Sequence, residues 1–497
     1  MASIRALQLG RDDYAQRYGV GEDVKWCFEP ELDPADFEYD IAFVSRLLTD
    51  DEAAYLVGHV RAYCLFVRDD LALTDAMAYL MKSRRGARYA EADVPGFLVH
   101  DLRNYFAKPY GEKFNPHMMA VSPLFKGSVR WLGYTEAILE GSFGDSMSQT
   151  VFWRGNIPIE QGQAIDLWLE YQTEGAVEIE LVVRQFRQGS VSAIQKTWTF
   201  SEADLAHVVT IENDAAAGPV FVSLNARGTG MLRVVALHDR HSRRGRGAFV
   251  PGGERWVTRD REELFTFFDP GDLKPPLAVY FSGYKTMEGF EGYRMMRRMG
   301  CPFLLVSDAR LEGGAFYLGD DEYERNVCAA IEGACRDLGF STDQVILSGL
   351  SMGTFGSLYF GTKIPARDII VGKPLLSLGT MAALERLERP GVFPTSLDLL
   401  WKTCGSLGGE AVERLDERFW RLFDGTDWSG RAIWAAYMIE DDYDGTAYPR
   451  LLEHVKGKGA KVVGKGLHGR HNDDTRGIVS WFLGQYARVL RDGYGRG

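Results

Sequence analysis

The sequence predicts an α/β chain in three units: a small N-terminal α/β unit over residues 1–118, a β-sandwich over 119–253, and a C-terminal unit over 254–497 built on a parallel sheet with helices on both faces. Three observations carry this reading. Short β-like runs alternate with charged helical stretches at the start, the middle is a succession of β segments parted by turn residues, and beyond Gly253 strands and helices alternate regularly.

In the first unit the β-like runs are IRALQLG, DIAFV and YCLFVRD, and no phosphate-loop glycine pattern accompanies them. From about Lys126 to Arg240 the segments IDLWLEYQ, VEIELVVRQF, QKTWTF, HVVTI, VFVSL and LRVVAL are separated by Gly, Asn and Asp, which supports the sandwich. Its tryptophans, Trp153, Trp168 and Trp198, are expected to fill the core; the competing expectation is that they are exposed platforms for sugar rings. In the third unit five strands are predicted, at 277–282, 303–307, 344–349, 368–372 and 432–439, with KVVG at 461–464 as a sixth. Helical segments such as 323–339 lie between them.

A chain of 497 residues exceeds one ordinary core, and 45% hydrophobic with 25% charged residues is globular composition. Lys and Arg number 57 against 69 Asp and Glu, so the net charge of -12 argues against a nucleic-acid partner. The one basic run, His238 to Arg246, is expected to be a solvated loop. Six scattered cysteines form no C-x-x-C pair, which predicts neither a zinc site nor a disulfide framework and fits a reducing cytoplasm. Charges at Arg5, Arg11, Asp12 and Asp13 interrupt any signal-like apolar stretch, so no export signal is expected. The longest uncharged run, Gln344 to Thr362, holds four glycines and five Ser or Thr residues and makes a poor membrane span.

That run contains Gly349-Leu350-Ser351-Met352-Gly353, a match to G-x-S-x-G. Chance alone supplies roughly 0.4 such matches in a chain of this composition, so context decides. An apolar strand, QVILSG, leads in and the helical start TFGSLYFG leads out, the strand-turn-helix setting that exposes a nucleophilic serine in α/β-hydrolase-type domains. A serine hydroxyl needs a base, and the base needs a carboxylate, in the chain order Ser, acid, His. Of the histidines after Ser351, His454 sits in a helical stretch, leaving His468 and His471; His471, just before the N-cap cluster NDDT, is the expected base. The acid is expected beyond the strand AIWAAYMI at Asp441, with Glu440 and Asp442 as alternatives. The backbone N–H groups of Met352 and Tyr284 are the expected oxyanion donors. No metal and no bound organic cofactor is expected.

The motifs YFSGYKTMEGFEGY, DARLEGGAFYLG, SGLSMGTFGSLYFGT, IIVGKPLLSLGT, RPGVFPTSLDLL, YMIEDDYDGTAY and GRHNDDT, between residues 279 and 475, resemble the family of the second accessory secretory protein of the accessory Sec system. That system exports serine-rich-repeat adhesins in Gram-positive bacteria. The resemblance implies an O-acetyltransferase that modifies N-acetylglucosamine on the adhesin before export, with a separate role in translocation. It implies as partners the serine-rich-repeat glycoprotein, other accessory Sec proteins and the accessory motor ATPase. It also implies a cytoplasmic location, with peripheral placement at the inner membrane face as a variant. Ser351 and His471 fall on the family's nucleophile and base, and its acid lies in the Asp441 region. The acetyl donor is not legible. A carbohydrate esterase or deacetylase with the same triad, and a non-catalytic export adaptor, are the rival expectations.

Overall fold

The computed structural model describes residues 3–33 and 37–496. The N-terminal strands form an all-parallel sheet in the order Val24–Glu29, Ile4–Leu9, Ile41–Val44, Leu65–Arg68, Ala87–Tyr89. Parallel sheets are covered on both faces, and Ile41–Val44 is accordingly buried at every position. The covering helix Asp50–His59 starts at a capping box in which Thr49 and Glu52 satisfy each other's backbone N–H groups.

The middle segment is β-rich as expected, but its described strands are hydrogen-bonded into one nine-stranded antiparallel network in place of two separate sheets. Three long strands carry it: Glu136–Trp153, Ala164–Phe186 and Gly218–His241. Gly175, Gly228 and Gly230 within them hold φ of +83°, +99° and +151°, and the register against Glu136–Trp153 shifts at Gly228. A Cβ at Gly228 would lie 1.8 Å from the Ala176 carbonyl oxygen, so only glycine fits there. The only helical pieces in this stretch are single 3-10 turns, so the sheet buries its apolar face largely against itself, around Leu139, Trp153, Leu167, Leu181 and Leu224. Trp153 and Trp168 are each 2% exposed, and Trp198 is half-buried against the same core, which removes the sugar-platform expectation for the first two.

The basic run at 238–246 is not a solvated loop. Its first four residues complete the strand Gly218–His241, and Arg240 and Arg243 are buried. Arg240 grips Glu263 with both guanidinium nitrogens (2.8 and 2.6 Å) and Glu288 through Nε (2.6 Å). His238 lies between Glu288 (2.6 Å) and Glu170 (3.1 Å), and Arg243 donates to the carbonyl oxygens of Asn104, Phe106 and Phe249. Buried charge persists only when paired, and apart from the Phe249 carbonyl every partner comes from a distant part of the chain. The pairs with Glu263 and Glu288 join the β-rich segment to the C-terminal unit, and Arg243 joins it to the N-terminal unit.

The C-terminal sheet has eight strands in the order Glu254–Val257, Glu263–Asp269, Phe303–Asp308, Leu277–Phe281, Val345–Leu350, Asp368–Gly372, Ala432–Met438, Lys461–Leu467. Glu263–Asp269 runs antiparallel to both neighbours, and every other ladder is parallel. The first two strands escaped the sequence reading because they sit among the charges of ERWVTRDREEL. The central strands are buried at every position except Leu350, and each Val, Leu or Ile so buried stabilises the fold by about 1.5–3 kcal/mol.

Candidate active site

Ser351 stands between the strand Val345–Leu350 and the helix Met352–Gly361, at φ 52° and ψ -120°. A non-glycine residue at positive φ is strained, and here its surroundings hold it. The Ser351 N–H donates to the Gly372 carbonyl on the neighbouring strand (2.8 Å). The flanking glycines are required by contact: a Cβ at Gly349 would meet the Gly353 carbonyl oxygen at 2.3 Å, and one at Gly353 would meet the Phe281 carbonyl oxygen at 2.1 Å. The five-residue motif is thus a tight turn seated on the adjoining strand.

The turn presents Ser351 Oγ 2.9 Å from His471 Nε2. The other ring nitrogen, Nδ1, lies 2.8 Å from Asp441 Oδ2. An ionised carboxylate only accepts, so Nδ1 carries the proton and Nε2 is the acceptor facing the serine. The three adjacent acids divide the work. Asp441 takes the ring, Asp442 Oδ1 accepts from the His471 backbone N–H (3.1 Å), and Glu440 faces the exposed His468 (3.1 Å) and the Gly469 N–H (2.6 Å). His454 is elsewhere, against Asp424 and stacked on Trp420.

Asp441 is 4% exposed in its side chain and His471 3%, so little water competes with their bond. Burial pushes the Asp441 carboxyl up, but the hydrogen bond and charge of His471, with the N–H groups of Tyr443 and Asp444 on its other oxygen, outweigh that and hold it below the ordinary carboxylate range. The Tyr443 ring packs 4.7 Å from the His471 ring.

Of the two residues expected to supply oxyanion donors, Met352 follows the serine in the chain and Tyr284 lines the same cavity. Met352 opens the helix after Ser351, so its N–H has no partner within that helix. In the facing loop the Gly283 N–H is occupied by Glu291 Oε2 (2.6 Å), and the next N–H belongs to Tyr284. Its ring packs on Phe393 at 5.0 Å. Ser351, His471, Tyr284, Phe393 and Tyr443 line one open cavity of about 370 Å³. Two further charged side chains in that cavity, Lys373 and Glu291, were missed by the sequence reading. The signal for Lys373 was present: it directly follows an apolar strand in IIVGKP, where site residues of parallel sheets collect.

Away from this cavity, Glu170, His238 and Glu263 bring ligand-type atoms within 4.8 Å of one another. Their lone pairs are already engaged by Arg240, Arg255 and the His238 ring. Among the described residues no helix is long and apolar enough to cross a membrane.

The model of the accessory Sec system GspB-transporter family matches residues 4–496. An accessory Sec system protein of Streptococcus gordonii is 36% identical over 505 residues, covering 99% of each chain. One from Staphylococcus aureus is 35% identical over 512 residues, covering 99% of this chain and 98% of the relative. Among solved structures, a chain of the glycosylation-associated protein complex (Gap123) of Streptococcus agalactiae superposes with a TM-score of 0.88 at 36% identity, covering 100% of this chain and 99% of that one. From Ser351 outward and over almost its whole length, the chain belongs to the accessory Sec system GspB-transporter family.

Proposed function

We propose that this protein is a serine-dependent O-acetyltransferase of the accessory Sec system, acting on N-acetylglucosamine of serine-rich-repeat glycoproteins. The observation that carries the proposal is the unbroken chain Asp441–His471–Ser351, with 2.8 and 2.9 Å links, opening into a cavity. The C-terminal sheet, with its serine turn after the fifth strand in sequence, fits an α/β-hydrolase-type catalytic domain over 254–497.

In this reading His471 Nε2 takes the Ser351 proton as Oγ attacks the acetyl carbonyl, and returns it to the leaving group as that bond breaks. Asp441 keeps the ring in the required tautomer and stabilises the imidazolium. The Met352 and Tyr284 N–H groups receive the oxyanion. A sugar hydroxyl then gives its proton to His471 as its oxygen bonds the acetyl carbon, and as the acetyl C–Oγ bond breaks His471 returns the proton to Ser351 Oγ. Water in place of the hydroxyl would make the same site an esterase.

In this proposal the protein acts in the cytoplasm, and it works beside other accessory Sec proteins, the latter in keeping with the complex that holds its Streptococcus agalactiae relative. Mass spectrometry of adhesin glycans with and without the protein tests it. An added acetyl mass is expected with the protein, and its loss instead would make the protein a deacetylase.

A further inference from the structure

Lys373 is the first residue beyond the strand Asp368–Gly372 and holds a positive φ of 60° without being glycine. Its N–H donates to the Ala436 carbonyl (2.8 Å), and the carbonyl of the preceding residue, Gly372, receives the Ser351 N–H. The backbone of Lys373 is therefore tied to the nucleophile turn on one side and to the strand leading to Asp441 on the other.

The side chain is only 6% exposed, and it lines the same cavity as Ser351 and His471. Its ammonium has no hydrogen bond or ion pair among the described residues. An ammonium carries three donors, and with no protein acceptor within reach these are left to whatever occupies the cavity. Strain in the backbone and an unpaired ammonium on a largely buried residue, together at the mouth of a reactive serine, mark a residue held ready for a ligand.

The neighbouring charges narrow the ligand class. Burial pushes the Lys373 ammonium below its ordinary pKa, while Asp441 and Glu291 pull it back up. Both carboxylates thus lie within electrostatic reach, but each is committed elsewhere: Asp441 to His471, and Glu291 Oε2 to the Gly283 N–H. With two carboxylates within electrostatic reach of one cation, the surroundings carry net negative charge and a further anion would meet repulsion. A neutral oxygen with free lone pairs meets none.

We propose that Lys373 is a specificity-determining residue that donates from its ammonium to a neutral hydroxyl or amide carbonyl oxygen of the acyl acceptor. This rests on the acyl-transfer reading of Ser351. The contact forms only when the acceptor enters, so it serves the second half of the reaction and not the loading of the serine.

The test separates the two halves in the full-length protein, using p-nitrophenyl acetate as a neutral donor and N-acetylglucosamine as the probe acceptor. For Lys373→Met the p-nitrophenolate burst, and the acetyl mass on Ser351, should fall at least about fivefold less than acetyl transfer to the acceptor. The KM for N-acetylglucosamine should rise about 10- to 100-fold, the range for losing a hydrogen bond to a charged group. Lys373→Arg, which keeps the charge, should recover part of that loss and carries the test if the methionine variant does not fold. An equal fall in burst and transfer, or an unchanged acceptor KM, would overturn the proposal. Acetyl phosphate as a far better donor than p-nitrophenyl acetate, with the advantage lost in Lys373→Met, would also overturn it by assigning the lysine to an anionic donor. A wild-type protein that gives no burst and no acetyl-Ser351 would sink the acyl-transfer reading itself, and this proposal with it.

Discussion

Asp441 Oδ2 lies 2.8 Å from His471 Nδ1, while the other Asp441 oxygen accepts the N–H groups of Tyr443 and Asp444 at 2.9 and 3.1 Å. The carboxylate is thus clamped by its own turn and has one free direction, toward the ring. Asp441→Asn should keep the fold but offer the ring an amide in place of an obligate acceptor, favouring the wrong tautomer. A loss on the order of 10⁴ in acyl-transfer rate is expected. Glu440→Gln and Asp442→Asn should stay within about tenfold, since neither touches the ring. Initial rates for the three variants decide it, and a larger loss in Asp442→Asn than in Asp441→Asn would reassign the acid.

Ser351→Ala removes one hydroxyl from the cavity wall and the only atom placed to carry the acyl group. Acetylation should fall by about 10³ to 10⁶, with thermal stability close to wild type. Glycan acetylation and secreted adhesin measured side by side will show whether chemistry and export separate. Retained acetylation would exclude Ser351 as the nucleophile.

Gly353→Ala would place a methyl group 2.1 Å from the Phe281 carbonyl oxygen, a backbone atom that cannot swing aside. The helix Met352–Gly361 must shift from the sheet, at about 1–3 kcal/mol. The expected result is a lowered Tm together with a loss of turnover, because the serine moves with the helix. Wild-type Tm and turnover in this variant would refute the account of the turn.

His238 provides a pH prediction about stability. Burial pushes its pKa down, but Glu288 and the hydrogen bonds with Glu170 and Glu288 outweigh that and raise it to about 9. The folded state therefore keeps a proton that the unfolded chain loses near pH 6.5, on the order of 3 kcal/mol in all. This stabilisation is complete below about pH 6.5 and is lost as pH rises to about 9. Asp239, raised to about 7 by its burial and by Glu112 and Glu288, also loses stability with rising pH, but at lower pH. Above pH 7, then, Tm should fall more steeply in wild type than in His238→Gln. Parallel curves for the two proteins would show that His238 is not charged in the fold.

The serine turn was legible because its determinants are local. Two glycines, a serine and an apolar strand within a dozen residues specify a sharp strand-to-helix corner, and the contacts at Gly349 and Gly353 show why no other residue fits. His471 was legible by position, since few histidines follow Ser351 and one of them opens a helix. The choice among Glu440, Asp441 and Asp442 was not. One residue of phase in a turn sets which carboxylate faces the ring, and sequence spacing does not encode that rotation. Lys373 carried a positional signal, at the end of an apolar strand, but its place beside Ser351 was not legible, because the cavity is assembled from loops up to about 200 positions apart. The basic run at 238–246 misled for the same reason. Charge density in a short window predicts solvent, but Glu170, Glu263 and Glu288 approach from three other segments and make burial tolerable. Local steric rules therefore determined the nucleophile turn and the alternation of strands and helices, whereas the pairing of buried charges was decided only by the tertiary fold, which alone brings distant partners within hydrogen-bond range.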